Sequence, residues 1–299
     1  MPENNKTILI TGASGFLGGE LCRFFTQKNW QVRAMVRNPQ KHFSLSSHAT
    51  GGIFTCDLPE KIDEKAFMDQ PKAIIHCAYA SQETDPRRAE AVNLQGTERL
   101  KDLAQKQGVG RFIFLSSLAA IPDAASYYGR SKWEIEQSLD SKQDLILRPG
   151  LVVGAGGLFD RIRKSIARLP IVPLFFGGKQ QLHILWIGDL CQAVQNALEK
   201  GLTGVYRLGF PEPVLIRDFY QSLAKFEGKV CHFLPLPGAP ALWALQTLEK
   251  LGLHLPITSE NLLGLKLMKA FDMRKDLYAL GLETLSLENS LKKLAEDNS

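Results

Sequence analysis

Three glycines at spacing three, Gly12, Gly15 and Gly18, separate an apolar run from an amphipathic one in KTILITGASGFLGGE, Lys6 to Glu20. Ile8, Leu9 and Ile10 read as a strand, and Leu17, Leu21, Phe24 and Phe25 recur at helical spacing. The order is strand, glycine turn, helix. A helix that begins there presents unpaired N–H groups and the positive end of its dipole to whatever sits before it. Without Cβ atoms at Gly12 and Gly15 the main chain can turn sharply and touch a phosphate, while Gly18 lets the helix lie tight against the strand. A glycine triplet alone is also what a flexible loop looks like, and GxxGxxG is not the G-x-G-x-x-G spacing. Its setting points to the pyrophosphate of a dinucleotide.

Further strands alternate with helices. Gln31 to Arg37, Gly52 to Leu58, Lys72 to Ala78 and Arg111 to Ser117 are apolar runs of strand length, and Arg87 to Lys106 carries Val92, Leu94, Leu100 and Leu103 at helical spacing. This predicts an α/β fold with a doubly wound parallel sheet. Ligands then gather at the carboxyl ends of the strands, where the glycine turn, Arg37, Asp57, Ala78, Ser116 and Ser117 stand.

The end of the second strand bears on cofactor choice. An acid there holds the ribose hydroxyls of NAD, whereas an arginine accommodates the 2′-phosphate of NADP. The chain has Arg37, with Arg33 nearby, and no acid. NADP is expected, with NAD the alternative. Asp57 is placed either at the adenine edge or as a turn residue, and His76, in an apolar strand without a metal-ligand partner, reads as a core histidine.

Tyr128 is followed at i+4 by Lys132 in SYYGRSKWEIEQSL. On a helix the two share a face, and Tyr127 does not. A nearby ammonium favours phenolate and so lowers the pKa of a tyrosine. Lys132 could also hold the cofactor ribose, with Ser117 orienting a reacting oxygen and Tyr128 giving or taking its proton. Alone, YxxxK is equally an exposed tyrosine beside a solvated lysine. Downstream of the glycine turn and a strand ending in Ser-Ser, the catalytic reading is favoured.

Taken together, TGASGFLG (11–18), Asp57-Leu58, IIHCAYA (74–80), VNLQGT (92–97), FIFLSS (112–117), YGRSK (128–132), LRPG (147–150), WIGDLCQAV (186–194), GVYRLG (204–209) and FDMRKDLYALGLE (271–283) resemble the extended and atypical short-chain dehydrogenases/reductases. The resemblance implies cofactor contacts at Gly12, Ser14, Gly15, Phe16, Leu17, Gly18, Arg37, Asp57, Leu58, Ala78 and Lys132. It implies catalysis by Ser117, Tyr128 and Lys132, a place for Asn93 in the helix backing the site, and a structural role for Asp189. It further implies a Rossmann domain of residues 1–150 with about 183–207, and a smaller, mostly helical substrate lobe of about 151–182 with 208–299. Homodimers are common among such relatives. Two departures narrow the chemistry. The loop Leu118 to Tyr127 is short, and Leu151 and Val153 stand where sugar-nucleotide enzymes of this kind usually carry an asparagine and an aromatic.

In the expected lobe, Arg161, Arg163 and Lys164 read as the wet side of a helix or as partners of an anionic group. Leu234 to Leu255 carries Leu242, Leu245, Leu248 and Leu251 at spacing three, widened by Trp243 and Ala244. Such a stripe packs into the lobe's own core, or covers an apolar substrate, or touches a membrane surface.

The 299 residues carry a net charge of +5 spread along the sequence, which gives no case for nucleic acid. Five cysteines without a CxxC pair read as buried, reduced thiols, and MPENNK lacks a signal-like pattern, so a cytoplasmic address is expected. No metal set is evident. The first expectation is an NADP(H)-dependent oxidoreductase interconverting a ketone and a secondary alcohol on a lipophilic small molecule, with no transmembrane segment but room for peripheral membrane contact. The alternatives are a sugar-nucleotide epimerase or dehydratase with tightly bound NAD, and a non-catalytic NADPH-bound accessory subunit.

Overall fold

The computed structural model describes residues 6–81, 83, 85–253, 258–266 and 268–297. The first five residues, on which the cytoplasmic expectation drew, and the end of the apolar stretch at Leu255 lie outside them. In chain order the elements are β1 Thr7–Thr11, α1 Phe16–Gln27, β2 Gln31–Val36, β3 Ile53–Asp57, β4 Lys61–Ile62, β5 Ala73–His76, α2 Pro86–Glu90, α3 Gly96–Lys106, β6 Phe112–Leu115, α4 Tyr127–Gln137, β7 Leu145–Pro149 and β8 Leu151–Val153. There follow α5 Gly157–Arg168, β9 Ile171–Phe175, β10 Gln181–Leu182, β11 Ile184–Trp186, α6 Ile187–Lys200, β12 Gly204–Leu208, β13 Val214–Leu215, α7 Ile216–Phe226, β14 His232–Leu236, α8 Gly238–Lys250, α9 Ser259–Lys266, α10 Arg274–Leu280 and α11 Leu287–Asp297. Two compact units result, one of residues 1–116, 133–148 and 191–206, the other of 117–132, 149–190 and 207–299.

Eight strands form one sheet in the order β12-β7-β6-β5-β1-β2-β3-β4. The pairings from β7 through to β3 are parallel, and β4 closes the edge antiparallel to β3. Strand order reverses at β1, with β2 on one side and β5 on the other, which marks a switch point where crevices open at the carboxyl ends. The inner strands β1, β2, β5, β6 and β7 are buried on both faces, as a parallel sheet covered by helices requires. Leu9, Met35, Ile74, Phe114 and Ile146 from the sheet meet Leu100 and Ala104 of α3 and Ile135 of α4 in one core. Each such buried side chain contributes about 1.5–3 kcal/mol.

Burial on both faces corrects the reading of Arg33. The alternation in β2 places it opposite Val32 and Ala34, yet it is 6% exposed. Its guanidinium donates to the Ala66 carbonyl at 3.0 Å and the Met68 carbonyl, and pairs with Asp69. It anchors the loop after β4 and is not at the cofactor end of the strand. The long helix between β5 and β6 is also interrupted, since residues Ala91–Gln95 form a π-helical turn that carries Asn93.

The run LRPGLVV is two strands rather than one. β7 belongs to the large sheet, whereas β8 pairs with β11. The break falls at Gly150, where a Cβ would lie 2.3 Å from the His183 carbonyl oxygen. Further two-stranded pairings, β9 with β14 and β10 with β13, stand among the helices. His183 joins three segments, because its Nδ1 faces the Phe210 carbonyl at 2.9 Å and its Nε2 accepts from the Phe271 N–H at 2.9 Å.

Arg163 departs from the wet-face reading. It donates to Asp160 at 2.8 Å and to Glu227 at 2.7 Å, clamping α5 to the end of α7, while Arg161 and Lys164 are exposed. Three of the cysteines, Cys22, Cys56 and Cys191, are buried, and burial pushes each thiol up to about 12. Cys77 and Cys231 are only half-buried. On α8 Leu245 is 8% exposed, but Trp243, and Leu251 at the helix's C-cap, are each 72% exposed, so the apolar stripe is covered along one line only. No helix among the described residues is long and apolar enough to cross a membrane.

Candidate active site

The glycine turn is held by contacts that only glycine permits. Gly12 has φ +63°, and a Cβ on it would lie 2.7 Å from the Ala78 nitrogen at the end of β5. A Cβ on Gly18 would lie 2.3 Å from the Gly12 carbonyl oxygen, so its tight approach is to the turn itself. Gly15 is the N-cap of α1, with no side-chain cap and no acid in the first turn. Ser14 and Gly15 are exposed, and Phe16 and Leu17 are half-buried behind them. An uncapped helix N-terminus without nearby acid fits an anionic diphosphate.

Thr11 and His76 brace the floor of the turn. The Thr11 hydroxyl lies 2.7 Å from His76 Nδ1 and accepts the N–H groups of Cys77 and Ala78. On the other side His76 Nε2 meets Thr97, whose hydroxyl donates to the Asn93 carbonyl. That pattern assigns a neutral His76 protonated on Nε2, a core histidine as expected. Asn93 itself is 2% exposed; its Oδ1 accepts the Ala80 N–H at 2.7 Å, and its Nδ2 is buried with no hydrogen-bond partner among the described residues.

Arg37 and Asp57, at the ends of β2 and β3, form an exposed ion pair at 3.4 Å. With Leu58, Ala80, Arg88 and Val92 they line a cleft of about 100 Å³. Arg88 was not singled out by sequence reading, although it stands at the start of the long helix with Arg87. A larger hollow of about 350 Å³, lined by Lys6, Thr7, Asn29 and Gln31, lies at the amino-terminal ends of β1 and β2 and holds none of the candidate residues.

Ser117, Tyr128 and Lys132 belong to the second unit. Ser126 caps α4 by accepting the Gly129 N–H at 3.2 Å, and the Glu260 carboxylate accepts the Tyr127 N–H at 2.6 Å. Gly129 lets this helix start press on the loop before it, where a Cβ would lie 2.5 Å from the Ala119 carbonyl oxygen. A hydrogen bond joins the side chains of Tyr128 and Ser117. Burial of the phenol pushes its pKa up and outweighs the lowering by Ser117, the reverse of the direction read from the sequence. Tyr128 as a whole nevertheless keeps 40% of its surface exposed. Lys132 is 4% exposed one helical turn on.

The profile of the NAD dependent epimerase/dehydratase family matches residues 8–209. The chain belongs to this family. Similar members include a UDP-glucose 4-epimerase of Vibrio cholerae, 25% identical over 82% of this chain and 82% of that protein. A ceramide reductase of Caulobacter vibrioides is 32% identical over 56% of this chain and 53% of its own. Among solved structures, a UDP-glucuronic acid 4-epimerase from Bacillus cereus in complex with UDP-glucuronic acid and NAD has a TM-score of 0.73 at 20% identity, covering 98% of this chain and 100% of that one. That likeness is one of fold.

This family member also carries, within the first unit, a buried ionic cluster that sequence reading missed. Ser116 donates to Glu136, which also receives Arg148 through Nε at 2.9 Å and 3.0 Å. Ser116 is therefore engaged inside the first unit. Glu136 lies eight residues beyond Tyr128 on α4, and that spacing on the face of Tyr128 and Lys132 was the one signal available.

Proposed function

We propose that the chain is an NADP(H)-dependent oxidoreductase that interconverts a ketone and a secondary alcohol on a lipophilic substrate. The observation that carries the reading is the hydrogen-bonded Ser117–Tyr128 pair with Lys132 buried one turn away on the same helix. In the reducing direction Tyr128 donates its proton to the carbonyl oxygen, and the raised proton affinity keeps it protonated for that role. Ser117 holds the same oxygen in line. Lys132 holds the cofactor ribose and, when the tyrosine has given up its proton, stabilises the phenolate.

The glycine turn and the first N–H groups of α1 receive the pyrophosphate, and Arg37 receives the 2′-phosphate. When bound, the cofactor supplies hydride to the carbonyl carbon. A lipophilic substrate is supported by Leu151, half-buried, and Val153, 0% exposed, which offer no amide to a diphosphate. The ceramide reductase relative points in the same direction.

A second reading, a sugar-nucleotide epimerase with retained NAD, is favoured by the match to UDP-glucose 4-epimerase over most of both chains. Stoichiometry separates the two. The reductase consumes one NADPH for each alcohol formed, whereas the epimerase returns its cofactor unchanged in every turnover. Following NADPH absorbance together with product mass tests the choice.

A further inference from the structure

Helix α8 has two apolar faces, and only one is used. Leu242, Leu245 and Leu248 face inward, with Leu245 at 8% exposure and the others half-buried. Pro240, Trp243, Thr247 and Leu251 recur at spacings of three and four, with Ala244 next to Trp243, which places them along the opposite side. All five are exposed, Trp243 and Leu251 at 72% each. Thr247 donates its hydroxyl to the Trp243 carbonyl at 2.8 Å, so its polar group is satisfied within the helix. Leu253, just beyond, is 52% exposed. A helix that is apolar on both sides is ordinarily buried.

The charge around this face selects what covers it. In α8 and α9, which pack together, the lysines are Lys250 and Lys266, both exposed and without an ion pair among the described residues. The two acids in these helices are occupied. Glu249 accepts the Ser259 N–H at 2.7 Å and its hydroxyl at 2.6 Å, and Glu260 accepts the Tyr127 N–H. An outward line of Trp and Leu with Lys250 at its end and Lys266 on the neighbouring helix, and with Glu249 and Glu260 hydrogen-bonded to backbone N–H groups, complements an anionic lipid surface. Trp243 is also the exposed tryptophan, since Trp30 and Trp186 are buried and Trp133 is half-buried, and an indole favours the level of lipid headgroups.

We propose that the outer face of α8 docks the protein on an anionic lipid surface. The docked helix is tied to the candidate active site by the same two carboxylates. Glu249 of α8 holds the first residue of α9, and Glu260 of α9 holds the N-terminus of the helix that begins Tyr127-Tyr128. Docking itself stands on the surface alone; its use, drawing a lipophilic substrate toward Tyr128, rests on the reading proposed above.

The test is sedimentation of the full chain with vesicles of phosphatidylcholine, alone and mixed with phosphatidylglycerol. The wild type is expected to bind the mixed vesicles, with quenching of its tryptophan emission by brominated lipid. W243S/L251S should weaken binding on the order of tenfold or more, and Lys250→Glu by a smaller, salt-sensitive amount. Both change exposed side chains, and unchanged thermal melting verifies the fold. Tyr128→Phe should bind as the wild type does, so the readout is independent of turnover. Absence of binding to either vesicle, binding unchanged in W243S/L251S, or a wild-type dimer that W243S/L251S converts to a monomer would each overturn the proposal.

Discussion

Tyr128 and Ser117 are joined by a side-chain hydrogen bond in which burial, not the neighbouring hydroxyl, sets the proton affinity of the phenol. A tyrosine held protonated is suited to donate, so the reductive rate is expected to stay level from neutral to mildly alkaline pH. A fall assigned to Tyr128 below about pH 8 would contradict this. Tyr128→Phe should lower kcat by about 10²–10⁴-fold with little change in thermal melting, because general acid catalysis contributes on that scale. Steady-state kinetics beside a melting curve checks both parts.

Gly18→Ala is expected to be severe. The added Cβ would meet the Gly12 carbonyl oxygen at 2.3 Å, backbone against backbone, and one of the two must move. The variant should lose cofactor binding by calorimetry and melt several degrees lower, at a cost of about 1–3 kcal/mol for overpacking. Unchanged affinity would remove the turn from the cofactor site.

The strand periods, the glycine turn and the i+4 pair of Tyr128 and Lys132 were legible because each is local, a matter of spacing along one element. What was not legible depends on distant partners. Arg33 has the alternation of a solvated strand face, and only the carbonyls of Ala66 and Met68 explain why it is buried. The wide stripe on α8 read as one face, whereas Leu245 and Trp243 turn opposite ways because the lobe covers a single side. Arg163 read as wet, and Glu227 lies 64 residues away.

The ionic cluster of Ser116, Glu136 and Arg148 likewise depends on distant partners, and the place of Glu136 on α4 was its one local sign. Glu136→Ala would leave Arg148, 17% exposed at its side chain, without its carboxylate. A loss of about 3–5 kcal/mol is expected in denaturant unfolding. A change under about 0.5 kcal/mol would mean that the cluster adds nothing to stability.

Arg37→Ala should leave stability unchanged, since its pair with Asp57 is exposed. The KM for NADPH is expected to rise about ten- to a hundredfold, the value of one charge-assisted hydrogen bond, with NADH unaffected. An equal rise for both cofactors would refute a 2′-phosphate contact at Arg37.

Asp189 accepts the Leu285 N–H at 2.9 Å, and burial, stronger than that bond, raises its carboxyl from 3.8 to about 6. The folded chain therefore holds this proton more tightly than the unfolded one. The stability that Asp189 contributes is full below about pH 4 and is lost as pH rises through about 6. His183 acts in the opposite sense, because burial lowers its pKa, so the Asp189 effect is read as a difference between proteins. Asp189→Asn should melt with the wild type near pH 4 and above it near pH 7. A difference that does not vary with pH would contradict the assignment.

Product mass separates ketone reduction from sugar-nucleotide isomerisation in one experiment. Purified protein is incubated with NADPH and either a cellular lipid fraction or a pool of sugar nucleotides, with Tyr128→Phe in parallel. A reductase yields a lipid that gains two hydrogens as NADPH is consumed in equal amount, and no such product is expected from the variant. A sugar nucleotide that isomerises or loses water without net loss of NADPH would contradict the reductase reading.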